Sequence, residues 1–469
     1  MTMAGRNAPH VAIIGGGAGG VLSAAHLVRA AGEYGRPLDI TVLEPGRLGA
    51  GIAYSTRDAE HRLNVPAAGM SALPDDPEHF LRWHREHRNS DLSAGGFAPR
   101  RDYAAYVVDV LTDALDTNPD VGFEHIRTKV TDIAPSAGRW QLALDGGTTA
   151  TADAIVLALG AGPPSVAWAP AELLASPHFI ADPWAAPVRT EDVPGRGGTV
   201  LLVGAGLTMA DMAITWGRGG ATVHAVSRHG LMPLAHMEDP PPKPPPPALP
   251  DAEEVSLGEM THYIVDQLRT VGDWRLGTDS LRAITADLWR LVPIAERVRA
   301  LQGASGAIRR WGRIRHRVAP DVGAWLDKAI AEDRLVSHEG TVATARQGVG
   351  NLEVRLTDRI NPSSRGVAAG GTKLIADVVV NCTGPANEPS RSGEPLLRQL
   401  LSSGLLRPHP VGIGLDVDED GRPRSDRALP PLWTIGPLRQ GELWESTAIP
   451  EIRNQAAELP TQLLQLLVW

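Results

Sequence analysis

Residues 11–20 read VAIIGGGAGG, and no other stretch restricts the fold as much. Val11–Ile14 is a short, unbroken apolar run, the pattern of a strand buried on both faces of a parallel sheet. The spacing Gly15-x-Gly17-x-x-Gly20 follows at once, and VLSAAHLVRAAG then repeats its aliphatic residues at helical spacing. Each glycine has a separate task. Gly15 permits the tight turn, Gly17 lets backbone approach a pyrophosphate, and Gly20 lets the helix pack on the strand. Ala18 opens the helix whose N-terminal N–H groups face the phosphate charge. A second strand, LDITVLE (38–44), ends in Glu44, where an acid accepts hydrogen bonds from a ribose diol. Strand, glycine turn, helix, strand and acid together predict a dinucleotide seat.

A second half-motif lies at 199–210, TVLLVGAGLTMA. Gly204 and Gly206 take the first two fingerprint positions, Ala210 stands one residue past the third, and Leu207 and Thr208 begin the helix. The following strand, ATVHAVSR (221–228), ends in Ser227 and Arg228 rather than an acid. A carboxylate would repel a 2′-phosphate and an arginine would pair with it, so this seat reads as one for NADP(H), with NADH as the alternative. Two further stretches, ADAIVLALGAGPP (152–164) and ADVVVNCTGPANEP (376–389), are apolar strands ending in Gly160 and Gly384 turns. They resemble the crossovers by which two-dinucleotide flavoproteins join their FAD and NAD(P) domains. The fold class expected is α/β, with two Rossmann-like dinucleotide-binding domains and a helical insertion.

The divisions expected along the chain are an FAD domain at 1–165, an NADP domain at 195–240, an insertion at 241–334, the rest of the NADP domain at 335–376, and the C-terminal part of the FAD domain at 377–469. The insertion opens on EDPPPKPPPPALP (238–250), which favours extended polyproline II and acts as a semi-rigid spacer. Helical periodicity follows, and within it RRWGRIRHR (309–317), with Arg309, Arg310, Arg313, Arg315, His316 and Arg317. Such a run is either a solvated face or an anion contact. A Gly/Ser/Asn-rich loop is expected at 360–371. DVDEDG (416–421) begins like a calcium loop, but Arg427 stands where the twelfth-position Glu belongs, so a hairpin turn is expected. No metal site is expected.

The charge and cysteine content exclude whole classes of function. The formal net charge of −9 disfavours nucleic acid or an anionic membrane as partner. Cys382 is the sole cysteine, so an intramolecular disulfide, a CxxC redox pair and a cysteine-ligated iron–sulfur centre are ruled out. A reducing cytoplasm suits such a chain. No run of 18 or more apolar residues offers a membrane span, and no signal peptide opens the sequence. The oligomeric state is left open.

GGGAGG, GIAYST (51–56), HRLNVPAAGMSALPDDPEHFLRW (61–83), GAGLTMAD, VVNCTGP, GLDVDEDG and IGPLRQGELWESTAIPEIRNQA (435–456) together resemble a group of flavin-dependent, two-dinucleotide monooxygenase-like proteins. That group includes an FAD-dependent urate hydroxylase and a nitrosuccinate-forming aspartate N-monooxygenase. The resemblance to class B flavin monooxygenases implies that Asn64, followed by Met70 and Pro74-Asp75, lies against the flavin ring. It implies a role for Asn64 in stabilising a C4a-peroxyflavin in a dry pocket; the alternative is a turn asparagine satisfying local backbone. Arg62 and His61 are candidates for flavin or substrate contact. FAD domains of this kind finish with a Gly-Asp pair and a helix N-terminus at the flavin edge. Here the pair is Gly436-Pro437, a departure, and Ser446, Thr447 and Ala448 are candidates for the helix-start contact. The function implied is an NADPH-consuming hydroxylation of a small molecule with molecular oxygen, and the basic run at 309–317 favours an anionic one. A flavin reductase or electron transferase, and a non-catalytic FAD-binding sensor, are the rivals.

Overall fold

The computed structural model describes residues 8–185, 197–302, 307–358, 371–386 and 388–467. β1 (His10–Ile14) runs through the middle of a parallel sheet and four of its five residues are buried. α1 (Ala18–Glu33) follows the glycine turn, and β2 (Asp39–Leu43) returns parallel to β1. Two helices, α2 (Gly51–Tyr54) and α3 (His79–Arg88), bracket the 61–78 loop. α4 (Arg100–Thr117) packs on α1 and leads into β3 (Gly122–Ile126), the neighbour of β2. An antiparallel meander comes next, β4 (Val130–Ser136), β5 (Arg139–Leu144) and β6 (Thr149–Ala152). β7 (Ala154–Leu157) then pairs with the other side of β1.

Alternation along β1 explains why every residue from Val11 to Ile14 is apolar. Val11 and Ile13 join the core beneath α1 and α4, while Ala12 and Ile14 face the meander core around Trp140 and Leu142. Burying each of the valine and isoleucine side chains contributes roughly 1.5–3 kcal/mol.

The second domain repeats the plan. After α5 (Ala171–Leu174) and β8 (Phe179–Ile180) come β9 (Thr199–Val203), α6 (Leu207–Arg218) and β10 (Thr222–Ser227). The insertion is helical: α7 (Leu257–Val271), α8 (Trp274–Leu281), α9 (Thr285–Arg290), α10 (Ile294–Leu301) and α11 (Ala307–Arg315). Ser256 caps α7 with a full capping box to Glu259. α12 (Pro320–Ala331) precedes β11 (Leu335–Gln347), which pairs parallel with β10. β12 (Leu352–Asp358), β13 (Lys373–Ala376) and β14 (Val378–Asn381) complete a sheet of order β13-β12-β11-β10-β9-β14-β8. The chain then returns through α13 (Pro395–Ser402) to β15 (Leu432–Thr434), which pairs with β7, and ends on α14 (Ile449–Leu463) against α1.

Two expected boundaries are corrected. β14 hydrogen-bonds in register with β9, so residues 378–381 belong to the second sheet and not to the returning FAD domain. α12 belongs to the second domain and not to the insertion. Its Val322, Leu326 and Ala329 share a core with α6, as the crossover helix between two parallel strands must. The loop expected at 360–371 lies, save its last residue, outside the described residues. The DVDEDG stretch is a tight turn in which Asp418 Oδ1 accepts from the N–H groups of Asp420 and Arg422. Among the described residues, no cluster of potential metal ligands occurs and no helix is long and apolar enough to cross a membrane.

Candidate active site

The two glycine turns are built alike. Gly15 donates its N–H to Leu43 O at the end of β2, and Gly204 donates to Val226 O near the end of β10. Both have positive φ, 104° and 117°, where a side chain is strained. A Cβ on Gly15 would collide with the Ala158 carbonyl after β7, and one on Gly204 with the Cys382 carbonyl after β14. Gly20 likewise lies so close to the Gly15 carbonyl that only hydrogen fits. The strand ends carrying Gly160 and Gly384 are therefore the floors of the two turns, and they touch each other through a bridge between Pro164 and Pro385.

α1 and α6 both start after a glycine, Gly17 and Gly206, with no side chain capping the first turn. Their leading N–H groups are left for an anion. Both starts open into one cleft of about 2560 Å³ between the domains. A single small-ligand pocket holds roughly 300–1,000 Å³, so the cleft suits two dinucleotides meeting.

Gly15, Gly17, Ala18, Glu44, Asn64, Met70, Gly160, Gly204, Gly206, Leu207, Thr208, Ser227, Arg228, Gly384, Gly436 and Thr447 all line this cleft. Glu44 is oriented by its own turn: its carboxylate accepts from the N–H groups of Gly16 and Gly46 at 3.0 and 2.7 Å. Arg228 is exposed at the strand end, and its guanidinium has no partner among the described residues. Asn64 is held by its backbone, whose carbonyl accepts from His236 Nε2 at 3.0 Å, so its carboxamide is free of protein partners among the described residues. Met70 is buried at the cleft wall.

Two expected contacts fall elsewhere. Gly20 serves helix–strand packing beneath the cleft rather than lining it. Arg62 is corrected: it turns away from the cleft and pairs with Asp321 at 3.0 Å, tying the first domain to α12. Of the helix-start candidates, Thr447 and Ala448 line the cleft, whereas Ser446 is fully buried and does not. Gly436 has positive φ and gives its N–H to Gln455 Oε1 at 2.8 Å, which locks the Gly436-Pro437 corner to α14. Nearby, the Gln440 side-chain oxygen is buried at the cleft wall without a protein partner among the described residues. An orphaned acceptor there fits a ligand that donates.

The basic run at 309–317 is neither one solvated face nor one anion site. Arg315 pairs with Glu445 at 3.0 Å, both buried, and buried Arg317 pairs with the partly exposed Asp279. Arg313 and His316 line the cleft, and Arg313 spends its Nε on Met232 O. The side chain of Arg309 lies outside the described residues. Residues that motif reading missed include Thr56, Asp58, Arg100, Trp184, Met212 and Thr215. The stretch GIAYST pointed at the first of these; nothing local marks Arg100 or Thr215, which reach the cleft only through packing. Cys382 is buried, and burial, with the Asp211 carboxylate second, pushes its thiol pKa well up, so it is no nucleophile.

Residues 12–162 match the model of a family described as FAD-NAD(P)-binding. A search of curated protein sequences finds no match. Among solved structures, the reduced ornithine hydroxylase of Pseudomonas aeruginosa is 15% identical, with a TM-score of 0.65 over 98% of this chain and 100% of its own. L-lysine 6-monooxygenase from Pseudomonas syringae is 15% identical, with a TM-score of 0.62 over 98% of this chain and 99% of its own. Thioredoxin reductase from Lactococcus lactis is 11% identical, with a TM-score of 0.53 over 98% of this chain and 100% of its own. At these identities the likeness is one of fold: two dinucleotide-binding domains facing a shared cleft.

Proposed function

We propose that this chain is an FAD-dependent, NADPH-consuming monooxygenase that hydroxylates a small molecule. The observation that carries the reading is the position of Asn64, whose free carboxamide lines the same cleft as both uncapped helix starts. Bound FAD would supply the hydride-accepting and oxygen-activating chemistry, with NADPH as the reductant. The net reaction consumes substrate, O2, NADPH and a proton, and yields hydroxylated substrate, water and NADP+.

The chain's own residues hold and orient these partners. The α1 start and Gly17 receive the FAD pyrophosphate, and Glu44 receives the ribose diol. The α6 start and Gly206 receive the NADPH pyrophosphate, and Arg228 pairs with the 2′-phosphate. Thr447 and the uncapped start of α14 face developing negative charge. Asn64 offers an amide donor at the reacting face. Buried Met70, in the wall of the same cleft, keeps water out, so reducing equivalents reach substrate rather than peroxide.

The ornithine hydroxylase and lysine monooxygenase are named for small substrates bearing an amine. The Arg313 guanidinium at the cleft wall supports an anionic group on the substrate here. The same fold is found in a thioredoxin reductase, but one buried cysteine cannot form a dithiol relay. We place the enzyme in a reducing cytoplasm on the same ground.

The test is anaerobic mixing of the purified yellow protein with NADPH and, separately, NADH, followed by oxygen. Fast bleaching by NADPH, then a delayed, blue-shifted species before the oxidised spectrum returns, supports the monooxygenase. Fast bleaching with transfer of electrons to an added acceptor protein, and no hydroxylation in a substrate screen, supports the reductase. Failure to retain FAD would refute both.

A further inference from the structure

The sequence ends its second fingerprint in an aspartate, GAGLTMAD, and cofactor binding gives that residue no task. Asp211 is 4% exposed in the first turns of α6, and Thr215 and Arg218 follow it at helical spacing on the same face. This face does not meet the second domain. It meets the first.

Asp211, Thr215 and Arg218 each face a partner there. Asp211 Oδ2 lies 3.1 Å from the Arg100 guanidinium, and Arg100 Nε also donates to Arg62 O at 3.0 Å. His61, 3% exposed, bridges Thr56 Oγ1 at 2.7 Å on Nδ1 to Thr215 Oγ1 at 2.8 Å on Nε2. Nε2 is also 3.1 Å from Asp211 O, a carbonyl that can only accept, so Nε2 carries a proton, and in the neutral ring Nδ1 accepts from Thr56. Thr215 in turn donates to Asp58 Oδ2 at 3.1 Å. The result is one directed chain, Thr56 to His61 to Thr215 to Asp58. At the rim Arg218 pairs with Glu60 at 2.9 Å.

A buried ion pair and a directed hydrogen-bond chain are poor ways to add stability, because desolvation cancels much of the attraction. An apolar face would hold as well, but it would let the helix slide, since hydrophobic contact is non-directional. α6 begins only four residues before Asp211, about 6 Å along the axis. Whatever fixes the angle of α6 fixes where its N-terminus presents the nicotinamide nucleotide.

We infer that Asp211 and Thr215 are positioning residues: with His61, Asp58 and Arg100 they lock the nucleotide-binding helix to the flavin-side domain, so that hydride transfer needs no rotation between domains. This rests on the two-cofactor reading. His61, which also lines the cleft, thereby belongs to the lock.

The experiment uses the FAD-loaded protein and NADPH in anaerobic stopped flow. Thr215→Val, nearly the same shape without the hydroxyl, lowers the limiting rate of flavin reduction at least about tenfold while changing the NADPH dissociation constant less than about threefold. Thr215→Ser restores more than about half of the rate. Amide hydrogen exchange, read without turnover, rises in 56–62 and 207–218 of Thr215→Val and nowhere else. In a second arm, Glu60→Cys/Arg218→Cys is joined by a short, reductively cleavable bis-maleimide, the native Cys382 being buried. The joined enzyme is reduced within about twofold of the rate of the cleaved one. Unchanged reduction and exchange in Thr215→Val would overturn the inference. So would reduction that stops on joining and returns on cleavage, which would show that the domains must rotate. Wild-type protein that binds FAD but is never reduced by NADPH would count against the two-cofactor function itself, while the exchange comparison would still decide whether the lock exists.

Discussion

His236 Nε2 stands 3.0 Å from the main-chain oxygen of Asn64, so a loop of the second domain holds the backbone of a residue that lines the cleft. The ring packs on Phe97 at 4.9 Å. Burial, with Arg317 second, pushes its pKa down from 6.5 to about 3. The unfolded chain takes up a proton below about pH 6.5 that the folded chain refuses until about pH 3. Stability present above pH 6.5 is therefore lost as the pH falls through that window. The ring is half-buried, so the slope from this residue stays below about 1 kcal/mol per pH unit. His236→Gln keeps a donor and removes the titration. Its melting temperature should fall less steeply than wild type between pH 6.5 and 5, and parallel curves would refute the assignment.

Asn64→Ala should leave FAD content and the rate of reduction by NADPH intact. It should divert oxygen to hydrogen peroxide, with hydroxylation falling on the order of 10²–10³-fold, the usual cost of one preorganised donor. Peroxide release per NADPH consumed is the measurement. Equal coupling in the variant would return Asn64 to the role of a turn residue.

Gly204 and Gly206 should separate structure from binding. A methyl group at Gly204 meets the Cys382 carbonyl at a positive φ, so Gly204→Ala should lower the melting temperature and weaken NADPH binding together. At Gly206 φ is −98° and no protein atom lies within 4 Å of the added Cβ. Gly206→Ala should melt like wild type and raise the dissociation constant for NADPH about tenfold or more, because the methyl occupies the space of the pyrophosphate. Thermal melts beside NADPH titrations decide this.

Arg228→Ala should cost about 1.5–3 kcal/mol of NADPH binding, the value of a charge-assisted contact, and leave NADH nearly unaffected. The preference for NADPH over NADH, taken from kcat/KM, should fall roughly tenfold or more. An unchanged preference would move 2′-phosphate recognition elsewhere in the cleft.

Arg315 and Glu445 are a buried pair that docks the insertion onto the segment before α14. Removing one partner leaves a buried charge. Arg315→Met should destabilise by about 3–5 kcal/mol, whereas Arg315→Met/Glu445→Leu should recover most of that loss. Denaturant melts of the two variants provide the check.

The sequence by itself determined the two seats. Gly15, Gly17, Gly204 and Gly206 are set by backbone geometry within a few residues, and a short apolar strand before a helix needs no distant partner to be recognised. Glu44 and Arg228 were legible for the same reason, since a strand of known length delivers its last side chain to a known edge. Only the tertiary structure decided what faces what. Arg62 was near the right loop, but Asp321, far along the chain, takes its side chain out of the cleft. β14 reads as a strand from its residues, yet its hydrogen bonds to β9 choose its domain. Arg315, Arg317 and Arg313 look alike in sequence and go to Glu445, Asp279 and the cleft respectively. Periodicity tells which face of α6 carries Asp211 and Thr215. It says nothing of Arg100 and His61 opposite, because a partner across the chain is chosen by packing, and packing is a property of all the elements at once.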